Sequence, residues 1–155
     1  MTDFIVHEPA HGMASRCEPI LRALPDWFGI EGSVDEYVAC IDDLPTLIVT
    51  AGEADIGFLS LKLNGEHSAD AYVLGVLDEH HRGGVGRAMF VAAERWLAGQ
   101  GIRFLQVKTV GQSHSCVNYE KTRQFYMGIG FTELETFETM HNWPCPCLIM
   151  IKAID

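Results

Sequence analysis

The chain is short of positive charge. Eleven lysines and arginines stand against twenty-one aspartates and glutamates, a formal net charge of −10. Binding to duplex nucleic acid draws its non-specific affinity from cations on phosphates, so this balance argues against a nucleic-acid partner. An acidic surface keeps a protein soluble and also steers cationic substrates. Long apolar runs are missing too: none approaches the roughly 20 residues of a bilayer span, and no membrane partner is expected. The opening Met-Thr-Asp-Phe-Ile-Val-His-Glu-Pro has neither the basic nor the apolar segment of a secretory signal. Five cysteines are an odd number at irregular spacing, which fits reduced thiols and makes the cytoplasm the expected compartment. Repeats, linkers and low-complexity segments are absent. The 155 residues therefore read as one domain, 1–155. At 48% hydrophobic and 21% charged, it can bury a full core.

The elements that are present alternate between the two periodicities. Phe4 to Val6 reads as a first strand. A helix follows over Pro9 to Leu24, with Met13, Cys17, Ile20, Leu21 and Leu24 at helical spacing. A second helix is expected from Ser33, where Ser33 and Glu36 have the spacing of a capping box. Thr46–Thr50 and Ile56–Leu63 form a hairpin, and a longer strand covers Asp70 to Leu77 with apolar residues on both faces. Gly84 to Ala98 reads as a helix that presents Val85, Met89, Ala92 or Ala93, and Trp96 on one side. The apolar strand Phe104 to Val110 completes a β-α-β unit with parallel strands. A helix over Asn118 to Ile129 and strands over Phe131–Thr139 and Cys147–Ala153 finish the chain. The order β-αα-βββ-α-β-α-ββ describes a mixed α/β (α+β) domain.

The chemistry is concentrated at Asp78-Glu-His-His-Arg-Gly-Gly-Val-Gly-Arg87, between the long strand and its helix. Glycines at 83, 84 and 86 leave backbone N–H groups unshielded at a helix N-terminus, where orphan donors and the helix dipole favour an anion. A dinucleotide fingerprint would need a third glycine where Met89 stands, and a P-loop would need Gly-Lys-Ser/Thr. Neither is present. His80 and His81 lie beside Asp78 and Glu79, but adjacent histidines point apart and no second ligand pair occurs, so no metal is expected.

His81-Arg-Gly-Gly-Val-Gly86 after a valine-bearing strand resembles the acyl-CoA motif of the GCN5-related N-acetyltransferase (GNAT) superfamily, Gln/Arg-x-x-Gly-x-Gly/Ala. His81 departs from the usual first residue. Thr122-Arg-Gln-Phe-Tyr-Met-Gly-Ile-Gly-Phe131 resembles that superfamily's closing signature. The resemblance implies a mainly antiparallel sheet with a central parallel pair that opens into a V, flanked by helices. It implies that acetyl-CoA is held by Val76, Leu77, His81, Arg82, Gly83, Gly84, Val85, Gly86, Arg87 and Asn118. It also implies that Tyr126 protonates the departing thiolate. A phenol of pKa about 10 can keep its proton at neutral pH and give it to a thiolate whose parent acid lies near 8.5. The alternative for Tyr126 is packing, as for Phe125. The alternative for Asn118 is a helix N-cap.

The function so implied is acetyl transfer from acetyl-CoA to a primary amine of a small molecule by direct attack, with no metal. A protein or peptide amine as acceptor and a non-catalytic acyl-CoA-binding module are the rival readings, and a homodimer is compatible with each. Glu31, Glu66, His67 and Glu79 are the candidate bases, although water can carry the proton. Trp27 and Phe28 are either substrate-binding or core aromatics. Cys116 as a covalent acyl carrier is disfavoured. Cys145-Pro-Cys147 lacks the spacing of a redox or zinc motif.

Overall fold

Apolar alternation over residues 46–63 builds a hairpin around which the sheet grows. In the computed structural model, which describes residues 3–24, 31–111, 117–140 and 146–154, β2 (Thr46–Ala51) and β3 (Ala54–Leu63) pair antiparallel. Their turn is Gly52-Glu53, and Gly52 supplies the positive φ of 61° that it needs. With β1 (Ile5–Val6), β4 (Ser68–Val76), β5 (Phe104–Val110), β6 (Thr132–Phe137) and β7 (Cys147–Ala153), the strands lie in the order β1-β2-β3-β4-β5-β7-β6. Every pairing is antiparallel except β4 with β5. The fold class and element order expected from the sequence are found.

Helices cover both faces. α1 (Ala14–Arg22) and α2 (Glu31–Ile41) bury Cys17, Ile20, Leu21 and Ile41 against Ile48, Phe58 and Val73. On the other face, α3 (Val85–Gly99) and α4 (Val117–Gly128) enclose a larger core of Met89, Phe90, Leu97, Leu105, Tyr126, Phe131 and Met150. Among the described residues no helix is long and apolar enough to cross a membrane.

Three local expectations are corrected. α2 begins at Glu31, so Ser33 lies inside the helix and cannot cap it; a Ser-x-x-Glu spacing also occurs in helix interiors. α3 buries Phe90 and Leu97 rather than turning Trp96 fully inward, because its stripe follows Val85, Met89, Phe90, Ala93 and Leu97. β4 does not alternate cleanly. Ser60 pairs with Val73 but Leu61 with Ala71, which leaves Tyr72 as the extra residue of a bulge. Ala69 and Ala71 face the α3 side before the bulge, and Leu74 and Val76 face it afterwards. Tyr72 and Val73 both go to the α1/α2 side.

Arg16 fixes α1 to the start of β3 through two N–H donations to the Asp55 carboxylate, one of them Nε to Oδ2 at 2.9 Å. That bond holds the Asp55 pKa below its ordinary value. A depressed carboxylate pKa adds stability above the unfolded-state value, and that stability is lost as pH falls through the folded-state value. Asp55→Asn is therefore expected to cost about 0.5–1 kcal/mol at pH 7, since the pair is largely solvated, and nothing once both forms are protonated. Urea denaturation of both proteins at neutral pH and well below the ordinary carboxylate range checks this.

Candidate active site

β4 and β5 pair only at their first residues: Ser68 with Phe104, Ala69 with Leu105 and Asp70 with Gln106. Beyond that rung β4 runs on to Val76 and β5 to Val110 without a partner between them. The sheet is forked. At its crotch the buried Asp70 carboxylate accepts from Asn64 Nδ2 at 2.8 Å and lies 3.6 Å from Lys108 Nζ, which reaches back from β5.

The open edge of β4 is defined by hydrogen-bond alternation. Leu77 N–H donates to the Ile56 carbonyl on β3, so the residue before it, Val76, has its N–H and C=O turned the other way, toward the fork. Leu74 has the same orientation by the two-residue period. An extended ligand could add to this edge as a strand does.

One turn of 3-10 helix, Asp78–His80, then carries the chain from β4 toward α3. Arg82 at φ 64° and Gly84 at φ 84° both sit in the left-handed region. For arginine that conformation costs about 1–2 kcal/mol, and such strain collects at functional turns. Gly84 occupies the N-cap of α3, and Ala88 is the first residue whose N–H bonds within the helix, to Gly84 C=O at 3.0 Å. The amides of Val85, Gly86 and Arg87 are thus the orphan donors. Gly83 N–H makes a long 3.4 Å bond to His80 C=O. The Val85 side chain is core, so its contribution to an anion is its amide alone.

The two basic side chains and the histidine differ in what they touch. His81 Nε2 donates to the Val76 carbonyl at 2.6 Å; a carbonyl only accepts, so this nitrogen carries the proton. Its Nδ1 lies 3.7 Å from Asp78. His81 therefore latches the turn to the last residue of β4. Arg87 reaches the Gly128 carbonyl at the end of α4 at 3.4 Å. Arg82 is exposed on the turn itself. If Arg82 serves an anion there, Arg82→Gly removes the cation and the strained φ together. The expected result is an unchanged or slightly higher melting temperature with about fivefold weaker CoA binding, read by thermal shift and calorimetry.

Gly86 is a packing requirement. A Cβ there would stand 2.9 Å from the Phe125 ring of α4. This contact seats α4 on the first turn of α3, and the next residue, Tyr126, turns into the core. Its ring lies edge-on to Phe90 and Phe131, with centroids 6.1 and 5.6 Å away, and is 5% exposed. Burial pushes the phenol well above its ordinary pKa, and Tyr37 of α2 adds to the shift. Tyr126 is thus both a packed aromatic and a phenol that keeps its proton. The two readings are compatible.

Two other tyrosines pair on the α1/α2 side of the sheet. Tyr37 meets Tyr72 edge-to-face at 5.6 Å, and a hydrogen bond with Cys40, after burial, helps raise the Tyr72 pKa. The bulge turns Tyr72 to this face, and a bulge has no sequence signature in a run of apolar residues. Of the candidate bases, Glu66 and His67 belong to the turn at the closed end of the β4–β5 pair, where the His67 carbonyl accepts from Arg103 and Phe104. They are remote from the opening. Glu79 is exposed on the 3-10 turn. Asn118 lies inside the first turn of α4, which already runs at Val117, so the N-cap reading is corrected. The side chains of Asn118 and Glu31, together with Trp27, Phe28, Cys116 and Cys145, lie outside the described residues.

Residues 38–133 match the family model described as an acetyltransferase (GNAT) domain. The chain belongs to the GNAT family. Within it, the chain is 26% identical over 131 residues to a mycothiol acetyltransferase of Pseudarthrobacter chlorophenolicus, which aligns 81% of this chain with 35% of that protein. It thus spans about a third of the length of that curated relative. A GNAT-family protein from Desulfovibrio desulfuricans has the same fold, with a TM-score of 0.84 at 16% identity over 99% of this chain and 100% of that one. So does an aminoglycoside 6′-N-acetyltransferase complexed with coenzyme A, with a TM-score of 0.74 at 16% identity over 97% of each chain. The forked strands, the glycine turn and Tyr126 all lie within the matched residues of this GNAT chain.

Proposed function

We propose that this GNAT protein transfers the acetyl group of acetyl-CoA to a primary amine of a small molecule. The observation that carries the reading is the fork: an unpaired strand edge that ends beside a turn of orphan amides, with a protonated tyrosine on the helix behind it. Each feature suits one part of the cosubstrate. The amides of Gly84 to Arg87, with Arg82, suit the pyrophosphate, while His81 holds the turn in place. The outward N–H and C=O of Leu74 and the outward N–H of Val76 suit the pantetheine amides. A backbone N–H near the β4 bulge suits the thioester oxygen, where charge develops.

The reaction needs little more. The amine, as free base, attacks the thioester carbonyl carbon and forms a C–N bond. The resulting oxyanion collapses, the C–S bond breaks with its electron pair on sulfur, and the nitrogen loses its extra proton to water or a base. Tyr126 supplies a proton to the sulfur and is reprotonated from solvent. Direct attack leaves Cys116 without a covalent role. The small-molecule acceptor is supported by two similar proteins named for mycothiol and for aminoglycosides. The net charge of −10 favours cationic acceptors.

A thiol-release screen with acetyl-CoA against a panel of amines tests the proposal. Turnover with small polyamines, amino sugars or amino-thiol sugars is the expected result. Turnover with peptides alone overturns the acceptor class. Tight acetyl-CoA binding without thiol release from any amine or peptide overturns catalysis.

A further inference from the structure

Arg123 is charged, yet only 5% exposed, in the second turn of α4. Its Nη1 donates to the Val110 carbonyl at 2.6 Å. A guanidinium has five N–H donors, and burying it without a carboxylate is costly unless those donors are used. Among the described residues no acid forms a salt bridge with it. Nor is any buried side-chain nitrogen or oxygen there sealed off without a partner. The remaining Arg123 donors are therefore not sealed from solvent.

Val110 places these donors. Gly111 N–H donates across to the Pro146 carbonyl, so the alternation turns the Val110 C=O away from β7 and toward the side on which β4 has diverged. Arg123 thus stands at the β5 wall of the fork. On the opposite wall the outward carbonyl of Val76 is already taken by His81 Nε2. The outward carbonyls at the ends of both strands are therefore covered by side-chain donors, and the mouth of the fork is rich in N–H groups. A ligand for such a mouth must bring acceptors.

We infer that Arg123 binds the pantetheine arm of acetyl-CoA, its guanidinium donating to an amide carbonyl of that arm. The inference rests on the acetyl-CoA reading above. The arm is uncharged and carries two amide carbonyls, acceptors that suit the Arg123 guanidinium on the β5 wall and the outward N–H groups of Leu74 and Val76 on the β4 wall. The pyrophosphate is the competing anion for a cation, but it has its own donors at the α3 turn.

The test compares CoA with adenosine 3′,5′-bisphosphate, which lacks the arm, by calorimetry on wild type and Arg123→Met. Loss of a charged hydrogen bond is expected to weaken CoA binding about 10- to 100-fold and leave the bisphosphate within about twofold. Equal losses for both ligands, or unchanged CoA binding in a folded Arg123→Met protein, overturn the inference. Should the variant not fold, the wild-type protein decides: its Arg123 Nε–H signal, assigned by its disappearance in Arg123→Lys, is expected to move with pantetheine and CoA but not with the bisphosphate. A signal unmoved by CoA overturns it. Wild type that binds no CoA at all is a different failure, because it removes the acetyl-CoA reading itself.

Discussion

Replacing Tyr126 with phenylalanine is expected to slow acetyl transfer about 100-fold while leaving acetyl-CoA affinity and the melting temperature nearly unchanged. The ring already packs against Phe90, Phe125 and Phe131, and phenylalanine keeps that packing. Only the hydroxyl is lost, and general acid catalysis is commonly worth about 10² to 10⁴ in rate. The raised phenol pKa opposes proton donation to a solvated thiolate, which is a weak base. In the proposed reaction, however, the thiolate leaves inside the fork. Cys17 shows what burial does to sulfur in this protein: desolvation, with the Asp55 charge adding to it, pushes its thiol up to about 12. A thiolate expelled where the bound ligand excludes water would become basic in the same way, which brings the proton transfer closer to balance than the aqueous values suggest. Because the phenol keeps its proton across the neutral range, its ionisation is not expected to limit kcat below about pH 10. Parallel kcat and binding measurements on the two proteins check both points; equal small effects on each would remove the acid role.

The second large effect is expected at Gly86. An alanine Cβ would stand 2.9 Å from Phe125 Cζ, closer than packed carbons tolerate. The ring must move, and overpacking of this kind typically costs about 1–3 kcal/mol. The damage extends to function, because Gly86 contributes one of the orphan amides and the next residue of α4 is Tyr126. Gly86→Ala is therefore expected to lower both stability and CoA affinity. Adding Phe125→Leu makes room for the methyl group and is expected to recover most of the stability. A chemical-denaturation cycle over the four proteins gives the coupling. Additive losses would mean that the ring contact is not the reason for glycine.

These residues also mark what the sequence could and could not convey. β5 and β7 were readable to the residue, because β5 alternates buried Leu105, Val107 and Thr109 with more exposed residues and β7 is apolar from Cys147 to Ile151. The glycine turn was readable because few local structures demand that composition. α2 was misplaced at its start, since a capping pair has the same spacing as an ordinary helix face. The bulge at Tyr72 was invisible: it depends on how β4 lies against β3, and neighbouring apolar residues on both sides hide the change of phase. His81 was ambiguous, and Arg123 carried no signal of its own, for a related reason. Each bonds a carbonyl whose availability exists only because β4 and β5 part company, which is a property of the sheet and not of either segment.

The central claim is that the fork and its turn form an acetyl-CoA site, and a calorimetric titration of the protein with acetyl-CoA tests it most directly. The account predicts saturable one-to-one binding in the micromolar range, displaced by CoA and weakened by Arg82→Gly and Gly86→Ala. Absence of binding, or binding that neither substitution alters, would contradict it.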